Sequence, residues 1–296
     1  MIVSCLCAYN DFSQVLILGF FFAILYVYIY TISIVMIKNK SKFSKYKSNK
    51  TNHNSNKRIW LYGYHSVLAA IENTNRKKYR LVCTKNALSK LSNDVKKLTI
   101  NTSIIDTKNF CNFLNENAVH QGLALEVDPL KRDNINDIFG EQTDNDVIII
   151  LDRIKDPQNV GAIIRSAEIL GCRAIIGSTN HCAQETGGLV KAASGAFERL
   201  PYYSVTNISN IIETLREHSF LIIGLDHSGN VSIADLLKNL KKQPIACILG
   251  SEEKGMRYLT KEKCDHLVKI NTNSNFNILN VSNAAAITLF AIRELL

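Results

Sequence analysis

Residues 147–170 read VIIILDRIKDPQNVGAIIRSAEIL, and this stretch decides the fold. Val147–Leu151 is an unbroken apolar run rich in isoleucine, the pattern of a parallel strand buried on both faces. Asp152–Gln158 is polar, and Pro157 stiffens it as a loop. From about Asn159 to Leu170 apolar residues recur at helical spacing, with Asn159 suited to the N-cap and Gly171 to the C-terminal stop. Gly161 lets another backbone approach the helix closely. Strand, loop and helix in that order are the repeating unit of a covered parallel sheet.

Working outward, further strands are expected at Ala174–Gly177, Leu221–Leu225, Ile245–Leu249 and His266–Ile270, with a last helix over Val281–Leu295. Ligands of open parallel sheets bind beyond the carboxyl ends of the strands, so the residues that follow strands are the candidates for chemistry. Upstream, residues 59–130 form a smaller α/β unit. It has a helical pattern on Val67, Leu68 and Ile71 and short strands at Tyr79–Thr84, Ile104–Asp106 and Leu123–Val127. Residues 131–145 are polar and read as the linker to a second unit, 146–296.

The formal charge of +9 invites a nucleic-acid reading. Its placement weakens that inference. Lys38, Lys40, Lys42, Lys45, Lys47, Lys50, Lys57 and Arg58 crowd residues 38–58 with no acid among them, which leaves residues 59–296 close to neutral. That segment reads as a basic disordered linker. Before it, residues 1–37 hold an uncharged apolar run, Val15–Ile37, long enough to span a bilayer. The lysines behind it would keep the body of the protein in the cytoplasm. The other reading is that translation starts at Met36 and the run is not protein. The eight cysteines form no C-x-x-C pair and have no histidine at zinc spacing. No metal site or disulfide framework is expected, and free thiols in a reducing compartment are.

Neither G-x-G-x-x-G after a strand nor G-x-x-x-x-G-K-[ST] is present, nor is G-x-S-x-G or H-E-x-x-H. Three strand-end segments carry the chemistry instead. The first is the loop and helix start already quoted, with Asn159 and, six residues on, Arg165. In the second, Ile248–Met256 (ILGSEEKGM), a small-residue turn brings backbone N–H groups and two acids to the end of a strand. In the third, a polar loop after Ile270 leads through Leu279-Asn280-Val281-Ser282 into an alanine-rich helix that Asn280 or Ser282 caps.

Taken together and in this order, D-P-Q-N-V-G-A-I-I-R, G-S-E-E-K-G and L-N-V-S resemble the three motifs of the SpoU (TrmH-like) RNA methyltransferases of the SPOUT superfamily. Lys191–Pro201, Asn117–Gly122 and Tyr62–Val67 also look like family segments, so the resemblance covers about residues 59–296. The layout is closest to the RlmB-like branch, which modifies a guanosine of 23S ribosomal RNA.

The resemblance implies an α/β fold: a SPOUT-type parallel sheet with a C-terminal trefoil knot, preceded by an L30e-like RNA-binding domain. It implies a homodimer whose cofactor is S-adenosyl-L-methionine, contacted by Gly250, Ile270 and Leu279. Ser282, also placed at the cofactor site, would support the knot. The implied reaction is methylation of a ribose 2′-hydroxyl in ribosomal RNA, with tRNA as the alternative substrate. A catalytically silent RNA-binding protein, or a membrane-anchored one, are the competing readings.

Of the catalytic set Asn159, Arg165, Glu252 and Asn280, Arg165 matches the family's essential arginine. The three others match residues that position it and the ribose. A guanidinium stays protonated in water, so Arg165 is read as binding the phosphate bidentately or helping to polarise the hydroxyl, and the base is left unassigned. Asn271, Thr272, Ser274 and Ile278 depart from the family pattern beside the cofactor pocket. His65 and His120 fall in family-like segments, with a structural or RNA-contacting role; His181, His218, His227 and His266 read as surface or turn residues.

Overall fold

The structure, a computed structural model, describes residues 58–91, 100–132, 134–273 and 279–296. The apolar run 15–37 and the basic segment 38–58, Arg58 excepted, lie outside the described residues, as do Ser274 and Ile278. Among the described residues no helix is long and apolar enough to cross a membrane.

The first part holds β1 (Ile59–Tyr62), α1 (Tyr64–Glu72), β2 (Lys78–Cys83), α2 (Lys85–Lys90), β3 (Asn101–Ile104) and β4 (Leu123–Val127). The strands form one sheet in the order β1-β4-β2-β3. Two expected boundaries move. β2 stops before Thr84 because that side chain caps α2, accepting from Ala87 N at 3.2 Å. β3 precedes the expected Ile104–Asp106, since Asp106 already opens a 3-10 turn over Thr107–Asn112.

The second part follows as β5 (Val147–Asp152), α3 (Pro157–Ile169), β6 (Ala174–Ser178), α4 (Gly187–Ala192), α5 (Ala196–Arg199), β7 (Tyr202–Val205) and α6 (Ile208–Glu217). It continues with β8 (Leu221–Leu225), β9 (Val231–Ser232), α7 (Ile233–Lys238), β10 (Ile245–Gly250), α8 (Tyr258–Glu262), β11 (His266–Lys269) and α9 (Val281–Leu295). Its seven strands run in the order β7-β6-β5-β10-β8-β11-β9, every pair parallel. All six residues of β5 are buried, as the apolar run Val147–Leu151 requires of a central strand; the sixth, Asp152, is a buried acid.

Gly161 lets α3 sit against α4: a Cβ there would lie 2.5 Å from Ala192 Cβ and 2.6 Å from Leu189 O. The expected cap of α3 is corrected. Asp156, not Asn159, is the N-cap, accepting from Gln158 N and Asn159 N, and Pro157 takes the first helical position. Asn159 therefore lies inside the first turn with its side chain free to reach elsewhere.

β11 lies between β8 and β9, and the loop joining those two strands crosses directly over it. A Cβ on Gly229 in that loop would lie 2.6 Å from Val268 C, and Asp226 N donates to Val268 O at 2.9 Å. The C-terminal segment thus passes beneath an earlier loop, which is the kind of threading the resemblance implies; its further path includes residues 274–278, outside the described residues.

The polar residues 131–145 are more than a tether. Ile138 is buried in a 3-10 turn, and the Arg132 guanidinium donates to Leu200 O and Phe197 O. Arg76, its side chain fully buried, reaches Glu185 and Glu198 at 2.5 Å each and donates to Asp128 O at 3.0 Å. Asn73 donates to Glu198 at 2.8 Å, and Leu130 N to Glu185 at 2.8 Å. Burial alone would lower the Arg76 pKa, but its two carboxylate partners outweigh that and raise it. This ionic knot ties the four-stranded part to the helices after β6.

Candidate active site

Asn159, Glu252 and Asn280, distant in sequence, meet beyond the carboxyl ends of β5 and β10. Asn280 Nδ2 donates to Glu252 Oε1 at 2.7 Å and to Asn159 Oδ1 at 2.9 Å. Asn159 Nδ2 lies 3.3 Å from the same Glu252 oxygen, and Val281 N donates to it at 3.1 Å. One carboxylate oxygen thus gathers three N–H donors from two other segments, which fixes both amides in direction. Asn280 does a second job. Its Oδ1 caps α9, accepting from Ser282 N at 2.9 Å and Asn283 N at 3.4 Å, and Ser282 Oγ donates to it at 2.5 Å. The cap leaves the Asn280 amide no choice but to point its nitrogen at Glu252 and Asn159.

The loop that presents Glu252 is held from below. Asp152, the last residue of β5, is fully buried and pairs in register with Gly250. Its carboxylate accepts from both Arg257 N and Arg257 Nε at 2.8 Å. Asp226, after β8, accepts from Lys261 Nζ at 2.6 Å and from Ser228 Oγ at 2.6 Å. Burial works to raise the Asp226 pKa, but the hydrogen bonds from Lys261 and Ser228 prevail and hold it below its ordinary value. Gly250 itself leaves no room for a side chain, since a Cβ would lie 2.2 Å from Met256 N. Apart from Gly250, none of these supports, Asp152 and Arg257 above all, was singled out from sequence. The available signal was an acid ending an otherwise apolar strand.

Arg165 stands apart. It is exposed on α3 and makes no ion pair or hydrogen bond with any described residue. Six residues of helix carry it about 9 Å along the axis from Asn159 and around to another side. Within one chain, therefore, the amide–carboxylate cluster does not hold Arg165. Of the expected cofactor contacts, Gly250 ends β10 and Ile270 follows β11, half-buried against the core. Leu279, 37% exposed, is an apolar side chain left uncovered beside Asn280. His120 stacks on Phe110 at 4.0 Å and accepts from Gly122 N, a structural role. His218 lies in the turn that ends α6 and stacks on Phe139 at 4.2 Å, half-buried. Among the described residues no group of three His, Cys, Asp or Glu could hold a metal ion.

Known proteins share both the sequence and the fold. The SpoU rRNA Methylase family matches residues 146–290, and RNA 2′-O ribose methyltransferase substrate binding matches residues 60–132. The 23S rRNA (guanosine-2′-O-)-methyltransferase RlmB of Blochmanniella floridana is 33% identical over 78% of this chain and 92% of its own length. That of Neisseria meningitidis is 31% identical over 79% and 94%. An uncharacterized tRNA/rRNA methyltransferase of Synechocystis sp. is 36% identical over 78% of this chain, which spans 61% of that relative. Among solved structures, the SpoU methyltransferase AviRb from Streptomyces viridochromogenes, in complex with AdoMet, shares the fold. Its TM-score is 0.68 at 20% identity, over 83% of this chain and 93% of its own.

Proposed function

The chain belongs to the SpoU rRNA methylase family, an S-adenosylmethionine-dependent RNA 2′-O-ribose methyltransferase, and we propose that its substrate is a guanosine of large-subunit ribosomal RNA. The observation that carries the methyltransferase reading is the Asn159–Glu252–Asn280 cluster, assembled from the three motif segments at the strand ends, and the choice of a ribosomal guanosine rests on the similarity to the RlmB relatives. The strand-end residues Gly250 and Ile270 and the uncovered side chain of Leu279 fit an adenosine, which needs apolar faces beside backbone polar groups.

When bound, S-adenosylmethionine supplies an electrophilic methyl group on a sulfonium. The chain's own residues have three tasks: to align the 2′-oxygen, to hold the adjoining phosphate and to keep the hydroxyl polarised. The Asn159 and Asn280 amides, fixed on Glu252, are the groups that orient the ribose. Arg165, unpaired and exposed, is the group that takes the phosphate, in the bidentate manner its planar guanidinium favours. We place the working enzyme as a homodimer. α9 packs on α3, and together they expose Ile169, Ile287 and Phe290, at 69%, 42% and 58%, an apolar face suited to a second copy.

The test is methyl transfer from labelled S-adenosylmethionine to unmodified large-subunit RNA, with Arg165→Ala beside the parent. Label on a guanosine 2′-oxygen with the parent alone is the expected result. Label on unmodified tRNA and none on ribosomal RNA overturns the substrate.

A further inference from the structure

α8 carries a feature that the cluster leaves unused. Tyr258 is 73% exposed and Leu259 67%, side by side, and Tyr258 has no hydrogen-bond, ring or cation partner among the described residues. Every other described tyrosine is committed. Tyr202 and Tyr203 are buried, Tyr64 donates to Lys90 O, and Tyr79 donates to Asp128. Tyr62 is half-buried with Lys191 over its ring. A large aromatic left bare is a binding feature when it is also held still.

Tyr258 is held still. The preceding residue, Arg257, is fixed through backbone and side chain to buried Asp152, and Lys261, one turn on, is fixed to Asp226. Thr260 between them is buried, with Cys264 Sγ donating to its carbonyl. The platform is continuous with the site, because the Gly250–Arg257 loop that presents Glu252 runs directly into it. Its surroundings carry charges of both signs. Arg153 lies against the loop, its guanidinium 3.4 Å from Gly255 O, and Lys254 is exposed on the loop; Glu252, Glu253 and Glu262 are the acids nearby in sequence.

We propose that Tyr258, backed by Leu259, is a stacking platform for an unpaired base of the substrate RNA next to the methylated nucleotide. An unstacked base offers a flat apolar face of matching size, and single-stranded RNA is held by aromatic stacking beside cations. This inference rests on the RNA-methyltransferase reading and adds a residue that governs substrate affinity.

The test compares the full-length parent with Tyr258→Phe and Tyr258→Ala on whichever unmodified RNA the parent methylates. RNA retention on filters, S-adenosylmethionine calorimetry and sedimentation run in parallel. Alanine is expected to raise the KM and the Kd for RNA about tenfold or more, the usual loss for one stacked base. Affinity for S-adenosylmethionine and sedimentation mass stay unchanged, and phenylalanine stays within about twofold of the parent because a ring without the hydroxyl still stacks. An unchanged RNA Kd with alanine overturns the platform while the methyltransferase reading stands. A changed sedimentation mass overturns it in favour of a contact between copies. A parent that binds RNA without methylating it leaves the Kd comparison decisive, and one that binds no RNA overturns both readings.

Discussion

Arg76 and Arg165 invite comparison. Each is an arginine in a fold that sets glutamate and asparagine side chains nearby. Arg76 is 2% exposed and committed to Glu185, Glu198 and the Asp128 carbonyl. Arg165 lies in solvent with no partner among the described residues. The same contrast separates Glu198, whose side chain is buried against Arg76 and Asn73, from Glu252, exposed and bonded, among the described residues, only by neutral N–H donors. Burial decides the role. A buried charge must be fully paired to be tolerated, which makes it a fixture of the fold. An exposed one has no such debt and is available to a ligand.

Replacing Arg76 should produce the largest effect. Arg76→Met strands Glu185 and Glu198 without their counter-charge and is expected to cost about 3–5 kcal/mol, read as a lower urea midpoint. A loss under about 1 kcal/mol would break the comparison, because the cluster would then be ornamental.

Arg165→Ala comes next. Its expected loss in kcat/KM is about 10²–10³-fold, the usual effect of removing one donor aimed at developing or fixed negative charge. The urea midpoint should hold, since exposed substitutions stay within about 0.5 kcal/mol. A shifted midpoint would move Arg165 to the structural side.

Asn280 sits on the boundary, as cap and as site residue. Asn280→Ala is expected to lose about 1 kcal/mol of stability together with activity. Asn280→Asp should keep the cap, because aspartate caps equally well, yet recover at most part of the stability and none of the activity, because a carboxylate has no N–H for Glu252 and repels it. Activity recovered with aspartate would show that the amide donor is dispensable.

The smallest effect concerns pH. The Asp226 pKa is held below its ordinary value in the fold, so its contribution to stability is complete above the unfolded carboxylate range and fades as pH falls through the lower folded value. Asp226→Asn should flatten that acid limb of the stability curve by about 1 kcal/mol or less, the exposed half of its pair with Lys261 being screened by solvent. An unaltered acid limb would remove Asp226 from the supports of the Glu252 loop.

The strand core was legible because its composition is extreme. Val147–Leu151 and Ile245–Leu249 are apolar throughout and lie adjacent and buried. The three motif segments were legible as a resemblance, and with them Asn159, Glu252 and Asn280. The error at the start of α3 is instructive. Asp156 and Asn159 are both good caps, and the local signal that separates them is Pro157, which suits the first helical position after Asp156. Asn159, inside the first turn, is thereby left to reach Glu252, a contact across the fold.

The sequence by itself determined the central strands β5, β8 and β10, helix α3 and the last helix, though not every residue that ends them, because periodicity and buried apolar runs act over a few residues. Only the tertiary structure decided that one oxygen of Glu252 would gather Asn159, Asn280 and Val281, that Asp152 would anchor Arg257, and that Arg76 would be buried and Arg165 free. Those outcomes depend on contacts between residues far apart in the chain, and on the loss of water around them, which no local pattern encodes.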